Sequence, residues 1–119
     1  MTVTTLTLYR PVGPKELALI AQSNYAAFPP RLPEQPIFYP VTNEAYAIQI
    51  ARDWNVRASG SGFVTQFAVD AEYVSQFPKR IVGARIHEEL WVPAEQLAEF
   101  NSKIVGKIAV THSFYAGSS

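Results

Sequence analysis

The chain contains no cysteine, and this absence excludes several kinds of site at once. Without a thiol there are no disulfide bonds, no thiolate zinc centres, no iron–sulfur clusters and no cysteine nucleophile. Because small secreted domains are commonly cross-linked by disulfides, the absence also favours a reducing compartment. We therefore expect a cytoplasmic protein.

An excess of charge of one sign is also missing, because ten Lys and Arg residues balance ten Asp and Glu residues. Nucleic-acid binding and binding to a membrane surface both need concentrated positive charge, so we expect neither partner. No stretch is apolar enough over the length that spans a bilayer. The first residues lack the pattern of a secretion signal. We expect a soluble, unprocessed protein.

Metal-ligand patterns are absent as well. The two histidines, His87 and His112, have no spacing that would place them together on a helix, and no carboxylates are patterned around them. A phosphate-binding loop needs glycines that open a helix, whereas Gly60 and Gly62 precede a predicted strand. We therefore expect no metal cofactor.

The remaining composition is that of one globular domain. The chain has 119 residues, of which 48% are hydrophobic and 17% are charged. We assign residues 1–115 to a single domain and residues 116–119 to a flexible C-terminal tail. The pattern predicts a small mixed α+β fold, without the regular alternation of a doubly wound sheet.

The order of elements follows from apolar periodicity, prolines and capping residues. Strands are predicted over residues 3–10, 37–41, 63–69, 80–82, 88–92 and 104–115. Helices are predicted over residues 14–24, 44–54, 71–77 and 94–101. Pro14 opens the first helix, Thr42 or Asn43 caps the second and Asp70 caps the third. Residues 59–62 are predicted to be a flexible hinge.

The same periodicity predicts which side chains share a face. In the first strand Leu6, Leu8 and Arg10 point the same way. The buried face of the first helix is predicted to contain Leu17, Ile20 and Ala21. The buried face of the second helix is predicted to contain Ala47, Ile48, Ala51 and Trp54. One face of the last strand is predicted to contain Ile108, Val110, His112 and Phe114.

Several polar and aromatic residues lie where a core strand would not normally place them. Arg10 ends the first strand, and Tyr39 lies in the short second strand. His87, Glu89 and Trp91 share one face of a strand whose other face is apolar. An arginine, a carboxylate and aromatic rings converge on one ligand if their strands are neighbours.

Three segments resemble, in order, the three motifs of the ADP-ribosyltransferase superfamily. They are LYR at residues 8–10, IFYPVTNEAYA at residues 37–47 and EELWVP at residues 88–93. The chain is also similar to small bacterial proteins labelled as ADP-ribosylation proteins. The resemblance implies an ADP-ribosyltransferase-like fold, an α+β fold with mostly antiparallel strands in two sheets that form a cleft, and with flanking helices. It also implies NAD as the substrate and a protein acceptor or protein partner.

The resemblance also implies a role for each site residue. Glu89 would be catalytic, stabilising the positive charge that develops on the ribose as nicotinamide leaves. Arg10 would bind phosphate or ribose oxygens and Tyr39 would stack on nicotinamide, with Tyr9 beside them. His87 would complete the cofactor-binding set, at a position where many relatives carry Glu or Gln. Because arginine-modifying relatives usually have Glu there, arginine acceptors are disfavoured.

Two other functions and several structural interpretations stand beside this one. The chain is alternatively a non-catalytic protein-interaction module that retains the fold, or a binder of another nucleotide or of ADP-ribose. Arg10 would then reach solvent or pair with a carboxylate such as Glu88. Trp54 and Trp91 would pack in the interior, or Trp91 would line a cleft. The proline-rich loop at residues 28–36 is either a surface clamp or a wall of the site.

Overall fold

The computed structural model describes residues 4–81 and 87–117. A three-stranded antiparallel sheet in the order β1–β3–β7 forms its centre, and two further strand pairs, β2–β6 and β4–β5, are also antiparallel. The strands are β1 (Thr5–Val12), β2 (Ile37–Phe38), β3 (Ser61–Asp70), β4 (Lys79–Ile81), β5 (Glu88–Leu90), β6 (Val92–Pro93) and β7 (Ile104–Tyr115). The protein is therefore a compact mixed α/β domain with antiparallel sheets, as the element order predicted.

The helices are short and lie between the strands. They are α1 (Pro14–Gln22), α2 (Glu44–Ile50), a π-helix (Ala51–Asn55), α3 (Val56–Ser59), α4 (Ala71–Val74), a 3₁₀ helix (Ala94–Gln96) and α5 (Leu97–Ser102). Pro14 opens α1, and the side chains of Asn43 and Asp70 cap α2 and α4. Within residues 4–81 and 87–117, no helix combines the length and the apolar character needed to cross a lipid bilayer.

The central sheet is packed on both faces. Alternate residues of β1 are buried, and Leu8 and Val12 are almost fully enclosed on the face that carries Arg10. This face packs against the larger hydrophobic core, which includes Phe38. The opposite face meets α2 through a smaller core, to which Val64 belongs. The alternation predicted for β1 is confirmed.

The π-helix changes which side chain faces the sheet. An α-helix starting at residue 44 would turn Trp54 inward together with Ala47 and Ala51. The wider turn of a π-helix rotates the following side chains, so Asn55 takes the inward position and Trp54 is 65% exposed. The prediction that Trp54 packs in the core is therefore wrong, whereas Ala47 and Ala51 are buried as predicted.

The expected hinge at residues 59–62 is a tight junction instead. Gly60 ends α3 with φ +85°, a conformation that favours glycine, and β3 begins at the next residue. A Cβ atom on Gly62 would lie only 2.1 Å from the carbonyl oxygen of Ala51. Glycine at position 62 therefore allows β3 to approach the helix backbone closely.

The last strand is long but does not keep one face throughout. Val64 pairs with His112 and Thr65 pairs with Val110, so Thr111 is a bulge residue between them. Because adjacent residues of β3 point to opposite faces, His112 and Val110 also point to opposite faces. The prediction that both lie on one face is wrong, since a bulge reverses the alternation.

Smaller differences concern where elements end. Asn24 and Tyr25 have φ values of 63° and 59°, so α1 ends at Gln22, and Ala21 is exposed rather than buried. The strand predicted over 88–92 divides at Trp91 into β5 and β6, which pair with different strands. The predicted positions of residues 3, 82, 118 and 119 lie outside the described residues.

Candidate functional site

A short extended segment joins β1 to β5 and opens a cleft beside them. Val41 exchanges two backbone hydrogen bonds with Tyr9, of 2.9 and 2.7 Å, and also forms a bridge with Glu89. Beyond Tyr9, β1 continues to Val12 without a strand partner on that side among the described residues. Because the segment around Val41 pairs with β1 only at Tyr9, the edge of β1 is open at Pro11.

A cavity of about 430 Å³ occupies this cleft, and we refer to it as the Glu89 cavity. Its volume lies within the range of roughly 300–1,000 Å³ that is typical of small-molecule sites. Pro11, Val41 and Ile50 supply aliphatic surface. The other lining residues are polar or aromatic: Arg10, Tyr39, Trp54, Asn55, Glu89 and Trp91. Arg10, Tyr39 and Glu89 thus come together, although they lie far apart in the sequence.

Arg10 is held in the wall of the cavity by a two-point ion pair. Its Nε and Nη2 donate to the two carboxylate oxygens of Glu16 at 2.6 and 3.0 Å. Its guanidinium group also lies over the ring of Phe38, 4.7 Å from the ring centre. The Arg10 side chain is only 10% exposed, so the pair is partly desolvated. Most of the hydrogen-bonding capacity of Arg10 is therefore used within the protein.

Both carboxylate oxygens of Glu89 are also held in place. Trp91 Nε1 donates to Oε1 at 3.0 Å, and the Tyr46 hydroxyl donates to Oε2 at 3.4 Å. Burial, together with the charge and hydrogen bond of Glu89, raises the pKa of Tyr46 above its ordinary value. Tyr46 therefore keeps its proton and remains a donor to Glu89 at neutral pH.

Aromatic rings surround this carboxylate on the cavity wall. Tyr39 and Trp91 contact each other edge to face, with 5.9 Å between ring centres. Trp54, which the π-helix turns outward, adds a third ring. The guanidinium group of Arg80 lies 5.2 Å from the ring centre of Trp91. Flat apolar surfaces and one fixed carboxylate suit a planar ring with a positive or hydrogen-bond-donating character.

The other two predicted cofactor-binding residues lie elsewhere. Tyr9 is on the opposite face of β1 from Arg10 and packs against the smaller core. His87 stacks on Tyr46, with 4.5 Å between ring centres, and its Nε2 lies 3.0 Å from Gln49 Oε1. Neither residue lines the Glu89 cavity. His87 contacts Tyr46, which in turn donates to Glu89.

Sequence reasoning missed Asn55, which lines the cavity. It also missed Glu16 and Tyr46, which hold the lining residues Arg10 and Glu89 in place. Glu16 pairs with Arg10 because α1 folds back against β1, and Tyr46 reaches Glu89 because α2 packs beside β5. The amide oxygen Oδ1 of Asn55 is buried without a hydrogen-bond donor within residues 4–81 and 87–117. In a chain of this length the wider turn of the π-helix directs Asn55 inward, and no sequence pattern indicates that turn.

A second cavity, of about 420 Å³, lies between the π-helix and α3 on one side and the end of β7 on the other. It contains none of the predicted site residues, and its charged lining residue, Arg52, already forms an exposed ion pair with Asp53. No group of three or more His, Asp or Glu side chains that could hold a metal ion occurs in the part of the chain that the structure describes. The Glu89 cavity is thus the better candidate site.

Comparison with known proteins finds no matching family model, no matching curated protein and no matching solved structure. The geometry of the Glu89 cavity is therefore the main guide to function.

Proposed function

We propose that the protein has an ADP-ribosyltransferase-like fold and binds NAD in the Glu89 cavity. In this proposal it cleaves the bond between nicotinamide and ribose, as a transferase or as an NAD glycohydrolase. One observation carries the proposal: Arg10, Tyr39 and Glu89, chosen from three separate segments, line a single cavity of ligand size. The proposed function requires these three residues to line one pocket, so their convergence supports it.

Glu89 suits the central chemical role. Leaving of nicotinamide develops positive charge on the ribose, and a carboxylate already fixed in position stabilises that charge without reorganising. The hydrogen bonds from Trp91 and Tyr46 supply this fixation. Since the Glu89 side chain is only partly exposed, its charge is screened less than that of a surface carboxylate.

The reaction with water balances as follows. The bond between ribose C1′ and the nicotinamide nitrogen breaks, and nicotinamide leaves as a neutral molecule with the electron pair. A water oxygen bonds to C1′ and loses its proton to solvent, which yields ADP-ribose. In the transferase form of the reaction, a nucleophilic side chain of a protein acceptor replaces the water. Tyr39, Trp54 and Trp91 supply ring surfaces for nicotinamide.

A specific observation favours the second candidate, a protein-interaction module without catalysis. Arg10 already forms a two-point ion pair with Glu16, so it has little capacity left for a dinucleotide. Trp54 is 65% exposed beside the cavity, and exposed tryptophan is frequent in protein-binding surfaces. In this case the cavity would receive a side chain of a partner protein.

Release of nicotinamide from NAD by the purified protein tests the proposal directly. We expect the Glu89→Gln variant to lose at least about a hundred-fold in rate, because it removes the charge but keeps the shape. Glu88→Gln is the matched control, since Glu88 accepts a hydrogen bond from Thr42 and does not line the cavity. Assays with and without protein acceptors separate transfer from hydrolysis.

Binding measured in parallel separates the candidate functions. Both tryptophans line the Glu89 cavity, so their fluorescence should report ligands that enter it. Binding of NAD without nicotinamide release would indicate a nucleotide binder rather than an enzyme. If NAD and ADP-ribose neither bind nor react, the interaction module becomes the better proposal, and the search turns to protein partners.

A further inference from the structure

A second arginine lies close to the Arg10–Glu16 pair. Arg31, from the proline-rich loop, is half-buried, and its Nε donates to the backbone carbonyl oxygen of Ile37 at 3.2 Å. The Nη1 of Arg10 lies 3.5 Å from the carbonyl oxygen of Tyr39, only two residues beyond Ile37, so the two guanidinium groups approach the same short segment. They also share the electrostatic influence of one carboxylate, that of Glu16.

The charges in this cluster do not balance. Burial and the neighbouring Arg10 lower the pKa of Arg31 below its ordinary value, and Glu16 only partly opposes them. Arginine nevertheless stays protonated at neutral pH, so Arg10, Glu16 and Arg31 together carry one surplus positive charge. A half-buried charge without a counter-charge is costly unless a partner supplies one.

The two arginines differ in their remaining hydrogen-bonding capacity. Arg10 uses Nε and Nη2 on Glu16, and Nη1 lies at 3.5 Å from the Tyr39 carbonyl oxygen. Arg31 uses only Nε, which leaves both of its Nη groups without a hydrogen-bond acceptor among the described residues. The planar Nη groups of arginine match the oxygens of a phosphoryl group.

The cluster also stands in a defined relation to the Glu89 cavity. Arg10 and Tyr39 belong both to the cavity wall and to the surroundings of Arg31. A further cation, Arg80, lies against the ring of Trp91 but is not itself a lining residue. The lining thus contains a negative carboxylate, Glu89, and a guanidinium group, Arg10, with the positive charge of Arg80 next to Trp91. A ligand with a ring at one end and an anionic group at the other matches this polarity.

We propose that Arg31 is the phosphate-binding residue of the site, and that it holds the pyrophosphate group of a nucleotide whose ring enters the Glu89 cavity. This inference rests on the proposed function, because it names the residue that binds the anionic part of NAD. Arg10 then acts as a positioning residue, which Glu16 fixes in the wall. The phosphate role moves to Arg31 from Arg10, to which the resemblance assigned phosphate or ribose oxygens.

The test compares Arg31→Gln with Arg57→Gln, which removes the same charge from an exposed arginine of α3 that lines no described cavity. The probes are sodium pyrophosphate, ADP-ribose, NAD and nicotinamide, and their binding is measured by calorimetry and tryptophan fluorescence. We expect Arg31→Gln to lower the affinity for the three phosphate-containing probes at least about ten-fold, because a charged hydrogen bond is lost. Nicotinamide should bind equally well to all three proteins.

A variant that should bind more tightly excludes the explanation that Arg31→Gln loses binding only because its fold is perturbed. Glu16→Gln removes the shared carboxylate, so the surplus positive charge of the cluster rises from one to two. Pyrophosphate should then raise the melting temperature of Glu16→Gln more than that of the wild type. A smaller shift would contradict the inference, and so would an Arg31→Gln protein that binds all phosphorylated probes normally.

The outcomes also separate this inference from the proposed function. If wild type binds pyrophosphate through Arg31 but neither binds nor cleaves NAD, the anion site stands and the proposed function falls. If NAD is cleaved normally by Arg31→Gln, the proposed function stands and the role of Arg31 falls. If the wild type binds none of the four probes, both proposals are wrong.

Discussion

The indole nitrogen of Trp91 donates a 3.0 Å hydrogen bond to the carboxylate of Glu89, only two residues earlier in the chain. The two side chains lie on the same side of this segment, and both line the Glu89 cavity. Trp91 therefore has two roles, since its ring forms a wall and its N–H group orients the acidic residue. A substitution that separates these roles tests the arrangement.

Trp91→Phe keeps an aromatic wall but removes the donor to Glu89. We expect nicotinamide release to fall about ten-fold, because one charge-assisted hydrogen bond is lost. Trp54→Phe is the control, since Trp54 lines the same cavity but makes no hydrogen bond to Glu89. Equal rates for the two variants in a nicotinamide-release assay would show that the indole N–H does not matter.

Arg10→Lys should destabilise the fold, because an ammonium group cannot form the two-point pair with Glu16. We expect the free energy of unfolding to fall by about 1–3 kcal/mol in urea denaturation. Arg52→Lys alters a similar two-point pair with Asp53 that is exposed to solvent, and it should leave stability unchanged. A stable Arg10→Lys protein would mean that the wall does not depend on this geometry.

Gly62→Ala should be strongly destabilising. The added methyl group would lie 2.1 Å from the Ala51 carbonyl oxygen, so either β3 or the helix backbone must move. Overpacking of this kind costs about 1–3 kcal/mol or more, measurable by thermal or urea unfolding. At Gly13 a Cβ would have Ser59 Oγ as its nearest neighbour at 3.5 Å, an ordinary contact, so Gly13→Ala should be tolerated far better.

Stability at high pH should depend on Tyr73. Burial and the neighbouring Glu99 raise the pKa of Tyr73 to about 12. Because the folded pKa lies above the unfolded value of about 10, this contribution is complete below pH ~10 and is lost as the pH rises towards 12. Tyr73→Phe should therefore lose less stability than wild type between pH ~10 and 12 in urea titrations. If the unfolding free energies of the two proteins fall in parallel over this pH range, the raised pKa of Tyr73 is contradicted.

The sequence allowed the inward face of β1 and the convergence of Arg10, Tyr39 and Glu89 to be predicted. The alternation of Leu6, Leu8 and Arg10 fixes the inward face of β1, because a strand has a period of two. The interruption of an apolar pattern by Arg10 and Glu89 indicated where a site lies. Such local patterns predict structure well because strand geometry changes little from one protein to another.

The contacts within the site could not be predicted in the same way. Arg10 pairs with Glu16 rather than with Glu88, and the choice depends on how α1 turns back against β1. Trp54 was expected inside because the pattern was read with the period of an α-helix. A π-helix depends on tertiary packing, here the close approach of Gly62 to Ala51, and leaves no periodic signal.

The π-helix also means that the chain holds one residue more in this stretch than an α-helix needs. Without that extra residue an ordinary α-helix would join α2 to α3 and would still place Asn55 against the sheet. Loss of one exposed residue, such as Arg52, should therefore be tolerated by the fold, but it would withdraw Trp54 from the cavity wall. The width of the Glu89 cavity is thus open to change by a single-codon deletion, without a change in the core.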